Sequence, residues 1–253
     1  LEKYLRPIRH IEVQVLGDSF GSLVHCGERE CSLQRRHQKL LEECPSPAVS
    51  GPLRASLTAA ALKAAEAVGF CGTGTVEFLL DEAGDFYFLE VNPRLQVEHP
   101  VTELVYGLDL VREQIRLAAG EPLGYQQGDL LPVGHAIECR INAEDVRTWR
   151  PAPGAISRLV VPGGFGVRWD SHVFQGYSVP PFYDSLLGKL IVWGATREEA
   201  IARMARALDE LILEGLPTTI PFHRATMRHA GFRAGLYSTD SADQWLRETE
   251  IVR

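Results

Sequence analysis

No stretch of this chain is apolar for long enough to cross a bilayer, and the mean hydropathy lies near zero. A membrane-spanning helix is therefore not expected. The basic, then apolar, then small-residue order of a secretory leader is also missing at the start. Methionine is scarce: Met204 and Met227 are the only two, so a Met-Lys-Met triplet is excluded. A surplus of positive charge is lacking as well, since 26 Lys and Arg face 33 Asp and Glu for a formal net charge of −7. General nucleic-acid binding needs a basic footprint, and that class is set aside. The five cysteines (Cys26, Cys31, Cys44, Cys71, Cys139) contain no Cys-x-x-Cys pair. Their odd number and wide spacing predict reduced thiols in a cytoplasmic compartment, not a disulfide framework or a zinc site. Leu1-Glu2-Lys3-Tyr4-Leu5 reads as the middle of a domain, so the chain is expected to be a fragment.

What remains is a chain of 253 residues, 45% hydrophobic and 23% charged, long enough for one or two cores. Residues 8–16 alternate, with Ile11, Val13 and Val15 on one side and His10, Glu12 and Gln14 on the other. This predicts a half-buried strand with a polar face. Gly17-Asp18-Ser19-Phe20-Gly21 turns the chain into a returning strand at Ser22–Glu28. A polar stretch, 29–50, follows. A helix is predicted over 54–68, with Leu57, Ala61, Ala64 and Val68 at helical spacing, and then strands over 73–80 and 85–92. A second helix is predicted over 107–119, with Leu108, Val111, Ile115 and Ala118 on one face, closing at Gly120. The Gly/Pro/Gln-rich stretch beginning at 120 marks a linker. Short strands (134–142, 155–161, 185–193) follow, then a helix over 197–213 opened by a Thr196…Glu199 capping box, with Ile201, Met204, Leu208 and Leu211 as its stripe.

The strand pair 73–92 carries chemistry. Glu77 interrupts an apolar strand, while Glu90 and Asn92 stand two apart and so share a face. A four-residue loop at 81–84 would set Glu77 opposite Phe88, on the face of Glu90 and Asn92. Three oxygen ligands from adjacent strands suit Mg²⁺ or Mn²⁺; two solvated acids at a sheet edge are the competing reading. Arg35-Arg36-His37-Gln38-Lys39 is a basic cluster in an acidic protein, a solvated face or a seat for a small anion.

The run Glu90-Val91-Asn92-Pro93-Arg94-Leu95-Gln96-Val97-Glu98-His99-Pro100-Val101-Thr102-Glu103 closely resembles the signature of biotin-dependent carboxylases. Cys31-Ser32-Leu33-Gln34-Arg35-Arg36-His37-Gln38-Lys39 and Glu138-Cys139-Arg140-Ile141-Asn142-Ala143-Glu144-Asp145 match the same family, in order. The resemblance runs from residue 1 to about 235 and points to the biotin carboxylase component, an ATP-grasp enzyme. It implies an α+β fold: residues 1–120 as the C-terminal part of an ATP-grasp domain (antiparallel sheet with helices), 121–133 as a linker, 134–240 as the biotin carboxylase C-terminal domain and 241–253 as a tail. The family's ATP lid and N-terminal lysines would lie upstream of Leu1, so the fragment by itself is expected to be inactive. Pro93 replaces the small hydroxyl residue that many members carry.

The resemblance also implies roles. Glu2, Lys3 and Leu5 match the segment that meets adenine, and His10, Gln34 and His37 the ribose and phosphate contacts. Glu77, Glu90 and Asn92 match the ligands of Mg²⁺ or Mn²⁺ that accompany ATP. Lys39, Arg94, Gln96 and the backbone of Val97 match the bicarbonate pocket. Glu98 matches the general base and Arg140 the group facing the biotin ureido oxygen. Biotin would be a substrate presented by a carrier protein or domain. A carboxyltransferase component and a homodimer of the full-length enzyme are implied partners, with Phe165 and Arg168 near the dimer contact; no nucleic acid or membrane is. The bland readings are surface charge for Arg35, Arg36 and Lys39, and ion pairs for Arg94 and Arg140 with acids such as Glu12 or Glu144. Pro162-Gly163-Gly164-Phe165-Gly166 fits neither phosphate-loop pattern and reads as a turn. A carbamoyl-phosphate-type ATP-grasp ligase and a non-catalytic assembly module are the alternative functions.

Overall fold

The computed structural model describes residues 4–248. Its chain divides into two compact units, residues 1–32 with 42–136, and 33–41 with 137–253.

In the first unit β1 (Ile8–Gly17) lies between β2 (Leu23–Arg35) and β4 (Gly72–Asp81), and β5 (Phe86–Asn92) pairs on the outside of β4. All of these pairings are antiparallel. Ile11, Val13, Val15, Val76 and Phe78 pack against Leu57 and Ala61 of α1 (Gly51–Ala67). The side chain of Ser50 caps this helix by accepting from the Leu53 amide. Burial follows Leu57, Thr58, Ala61 and Ala65, while Val68 lies beyond the helix and is exposed.

Three expectations need correction here. The polar side of β1 is not solvated: Glu12 and Gln14 are fully buried, because a charged network covers them. The polar stretch 29–50 continues β2 and returns as β3 (Gln38–Cys44). Its tip holds Arg36 and His37 at φ 49° and 65°, the left-handed pair a two-residue hairpin turn requires, here without the Asn-Gly signal that usually marks it. The third concerns the face of the helix predicted over 107–119. That helix forms as α3 (Leu110–Ala118), and a separate, unpredicted helix, α2 (His99–Tyr106), precedes it and ends where Gly107 caps it at φ 65°. The buried face of α3 is Leu110, Glu113 and Leu117; Val111 and Ile115 are exposed. Leu123 and Leu130, in the stretch read as a linker, are buried with Leu16, Val24 and Leu110 in this unit.

In the second unit β6 (His135–Asn142) is flanked by the tip of the β2–β3 hairpin and by strand Leu186–Gly194, which pairs with Val167–Ser171. The α4 helix (Arg197–Glu210) buries Ile201, Met204 and Leu208 against Ile137, Ile141 and Leu190, with Leu211 at its end. Its Thr196 cap accepts from the Glu199 amide as the capping box predicts. Helix α5 (Ile220–Arg228) closes the same core with Phe222 and Met227. Among the described residues no helix is long and apolar enough to cross a membrane. Cys26, Cys31, Cys44 and Cys139 are buried, and among the described residues no cysteine forms a disulfide.

Candidate active site

The register of the first sheet makes the site. Arg29 of β2 pairs with Glu12 of β1, Glu12 with Glu77 of β4, and Glu77 with Glu90 of β5. Directly opposed residues share a face, so three carboxylates and one guanidinium form a row across four strands. The expected pairing of Glu77 with Phe88 is therefore corrected. Asp81 Oδ1 accepts from the Ala83 and Asp85 amides at 3.0 and 2.9 Å, which makes the turn one residue longer and pairs Phe78 with Phe88. A bulge at Leu89 then lets Glu77 face Glu90. Such bulges re-aim side chains at functional sites.

Opposed carboxylates repel unless something positive lies between them. Here Asn92 Nδ2 donates to Glu77 Oε1 and to Glu90 Oε1, each at 3.0 Å. Glu77 is buried, and also receives Gln96 Nε2 at 2.6 Å and meets His10 Nε2 at 2.7 Å. Glu90 is exposed. The donor set is oxygen-rich, carboxylates outnumber the guanidinium in the row, and one end is open. These are the properties of a hard-cation seat, with Asn92 able to offer Oδ1 once its amide turns.

The segment after β5 brings the remaining residues of this unit. Arg94 is exposed, with NH1 on the Leu95 carbonyl at 3.1 Å and NH2 near Asn92 Oδ1 at 3.5 Å. Gln96 and Glu98 are buried at 7% and 2% exposure. Glu98 is the N-cap residue of α2, whose start carries Pro100. That early proline made α2 illegible as a helix, although it is tolerated in the first turn. Cys31 Sγ lies 4.0 Å from Glu98 Oε1.

Arg29 was missed by sequence reasoning, although its alternation with Cys31 and Leu33 marks a core position; all three are fully buried. Its Nε donates to Glu12 at 2.5 Å, its NH1 to Gln14 at 2.8 Å and Thr102 at 2.9 Å, its NH2 to Thr75 at 3.1 Å and Gln96 at 3.5 Å. Burial opposes its charge, but Glu12 first and then Glu98 hold the guanidinium more firmly protonated than usual. Glu12, read as a possible partner of Arg94 or Arg140, pairs with Arg29.

In the second unit, Gln34 is buried, Lys39 half-buried and His37 exposed, all on the hairpin. Arg140 is half-buried on β6, and its carbonyl receives Thr219 Oγ1 and His223 Nε2, each at 2.8 Å. Arg35 stacks on Trp149 at 4.7 Å and faces Asp243 at 3.3 Å, a structural placement. Arg36, Trp149, Tyr183 and Asp184 help to line a cavity of about 350 Å³. Leu5 is half-buried, whereas Glu2 and Lys3 lie outside the described residues.

Opposed acids over a sheet fit more than one ATP-grasp ligase, and the comparisons reflect this. Residues 1–126 match the family described as carbamoyl-phosphate synthase L chain, ATP binding domain. Residues 138–244 match the biotin carboxylase C-terminal domain. The chain belongs to the biotin carboxylase family. Biotin carboxylase 1, chloroplastic, of Populus trichocarpa is 58% identical over 240 residues, 94% of this chain and 46% of that protein. Biotin carboxylase 1 of Bacillus subtilis is 53% identical over 241 residues, 94% of this chain and 54% of that protein. The biotin carboxylase domain dimer of Hydrogenobacter thermophilus 2-oxoglutarate carboxylase, in complex with MgADP, ADP and bicarbonate, is 47% identical. Its TM-score is 0.94, covering 96% of this chain and 54% of that one. The chain spans about half the length of the curated relatives it matches.

Proposed function

We propose that the protein carrying this chain uses MgATP and bicarbonate to carboxylate biotin on a carrier protein or domain, as the biotin carboxylase component of an acyl-CoA-type carboxylase. The carrying observation is Glu77 opposed to Glu90 across a bulge, with the Asn92 amide between them. Glu77, Glu90 and Asn92 would hold Mg²⁺ or Mn²⁺, which neutralises charge on the nucleotide phosphates.

The chain's own residues supply the rest of the chemistry. Leu5, with Glu2 and Lys3, meets the adenine, and His10, Gln34 and His37 meet ribose and phosphate. Bicarbonate is a poor nucleophile until deprotonated. Glu98 takes its proton while Arg94, Lys39, Gln96 and the Val97 amide hold the anion. The guanidinium of Arg94 presents a planar fork to a planar anion. Attack on the γ-phosphate expels ADP and gives carboxyphosphate, whose collapse yields CO₂ and inorganic phosphate beside biotin. Arg140 then stabilises the ureido oxygen as the biotin N1′ proton passes to that phosphate and N1′ bonds to CO₂. A carboxyltransferase receives the product, the working enzyme is a homodimer, and the compartment is cytoplasmic. Fatty acid biosynthesis through an acetyl-CoA carboxylase fits this reading.

The test is turnover by the holoenzyme: bicarbonate-dependent ADP release and carboxylation of free biotin, measured for wild type and Glu98→Gln. Both activities should require Mg²⁺ and fall at least about 10²-fold in the variant, the scale of a lost general base. Turnover in Glu98→Gln equal to wild type would overturn the assignment. Nucleotide binding without any carboxylation, even in wild type, would favour an assembly module.

A further inference from the structure

The carboxylates that would meet metal and bicarbonate are held from behind by a group no role has been given. Arg29 is fully buried and closes the inner end of the charged row. Its planar fork reaches four structural elements at once: Glu12 and Gln14 of β1, Thr75 of β4, Thr102 of α2, and Gln96 in the segment between β5 and α2. Two of these contacts control candidate active-site groups. The Gln96 amide is clamped at both ends, its oxygen facing Arg29 NH2 at 3.5 Å and its nitrogen donating to Glu77 Oε1 at 2.6 Å. Thr102 stands one helical turn beyond Glu98, on the same side of α2, and receives Arg29 NH1 at 2.9 Å.

We propose that Arg29 is a positioning residue for the bicarbonate half-reaction: its buried fork orients the Gln96 amide and fixes the first turn of α2, which carries Glu98. The proposal rests on the reading of Gln96, Val97 and Glu98 as the bicarbonate site. The physical case is one of geometry and cost. A guanidinium without solvent must have its donors satisfied, and here strand, helix and connecting-segment groups satisfy them together. The fork therefore locks those elements into one arrangement. A lysine would keep the charge beside Glu12 but could reach one or two of these acceptors, not five residues in a plane. Gln96 would then lose the partner of its amide oxygen and α2 its anchor at Thr102, while the Glu77 carboxylate keeps Asn92 and His10.

The test uses the holoenzyme with Arg29→Lys and Thr102→Val, beside Glu98→Gln. Supporting groups behind a site typically contribute roughly 10–100-fold to affinity or activity. Arg29→Lys should therefore raise the Michaelis constant for bicarbonate by about that factor, with a much smaller change for MgATP. Thr102→Val, which removes one anchor and leaves the guanidinium, should move the same constant in the same direction by less. It remains informative if Arg29→Lys fails to fold. An equal loss in turnover number with both Michaelis constants unmoved, in either folded variant, would make Arg29 a structural ion-pair partner and overturn the proposal. The control separates the two levels. If Glu98→Gln is as active as wild type, the bicarbonate reading itself fails. If Glu98→Gln is inactive while both other variants keep the wild-type bicarbonate constant, only the role of Arg29 fails.

Discussion

Replacing either of the two opposed carboxylates by its amide should remove cation-linked stabilisation, yet the metal-free effects should have opposite signs. Glu90 is exposed, and its side chain accepts from Asn92 Nδ2 at 3.0 Å while facing the Glu77 carboxylate. Glu90→Gln keeps an acceptor and relieves like-charge repulsion, worth about 0.2–1 kcal/mol for a directly opposed pair. At about 2–4 °C per kcal/mol for a chain of this size, the melting temperature without metal should rise by about 0.4–4 °C. Glu77 is buried at 4% exposure and accepts from Asn92 and Gln96 while also meeting His10. Glu77→Gln relieves the same repulsion but presents an NH2 to a ring of donors. Leaving one buried donor unmatched costs about 1–3 kcal/mol, which outweighs the relief. Its melting temperature should fall by roughly 3–10 °C. With MgADP, wild type should gain stability as RT ln(1 + [L]/Kd), so a hundredfold excess over Kd adds about 2.7 kcal/mol; both variants should lose most of that gain. The assay is thermal unfolding followed by circular dichroism, with and without MgADP. A fall for Glu90→Gln without metal, or a full MgADP gain in either variant, would refute the placement of a cation between these strands.

Three further outcomes are expected. Arg140→Ala should lower carboxylation of free biotin about 10²–10³-fold, the scale of one lost preorganised donor. Slow bicarbonate-dependent ATP hydrolysis should persist, as parallel phosphate-release and biotin assays would show; equal loss of both would refute a biotin-side role. His223 is fully buried, its Nε2–H donates to the Arg140 carbonyl, and burial lowers its pKa to about 4 from 6.5. The folded state thus refuses a proton that the unfolded chain accepts. Stability should fall as pH drops from 6.5 to 4 by about 3 kcal/mol from this group, and His223→Gln should flatten that slope in urea unfolding at pH 7 and pH 4.5. Gly74 leaves no room for a side chain: an added Cβ would lie 2.5 Å from the Phe70 ring and 2.9 Å from the Asn92 carbonyl. Gly74→Ala should cost about 1–3 kcal/mol of overpacking and weaken MgADP binding through Asn92, both measurable by thermal shift.

Local pattern was enough for much of this protein. The alternation of β1, the Thr196 capping box and the Ile201, Met204, Leu208 and Leu211 stripe are short-range signals, and each appears in the structure as an element with that face buried. The motif runs around Arg94, Lys39 and Arg140 pointed to the family without coordinates. Where local and tertiary forces disagree, the sequence was silent or misleading. Val111 and Ile115 look like a core stripe, but α3 turns Leu110, Glu113 and Leu117 inward instead, because Tyr125 and Arg116 satisfy the buried Glu113 carboxylate. The charged stretch beginning at Arg29 reads only as polar, since its buried Glu and Arg side chains find their partners far off in sequence: Glu30 with Arg9, Arg29 with Glu12 and, just before it, Glu28 with Arg54.

The row Arg29–Glu12–Glu77–Glu90 lay furthest from sequence reach. Each residue type was visible, and the two-residue spacing of Glu90 and Asn92 placed them on one face. Which residue stands opposite Glu77 depended on a turn one residue longer than expected and on a bulge at Leu89. Strand register is sensitive to such details: one slipped residue exchanges the two faces of a strand, and the alternation within 73–92 announces neither the Asp81-capped turn nor the bulge. The sequence by itself determined the kinds of groups available and their order along the chain. Only the tertiary structure decided which of them meet, because opposed strands, not neighbours in sequence, bring carboxylate, amide and guanidinium within hydrogen-bonding distance.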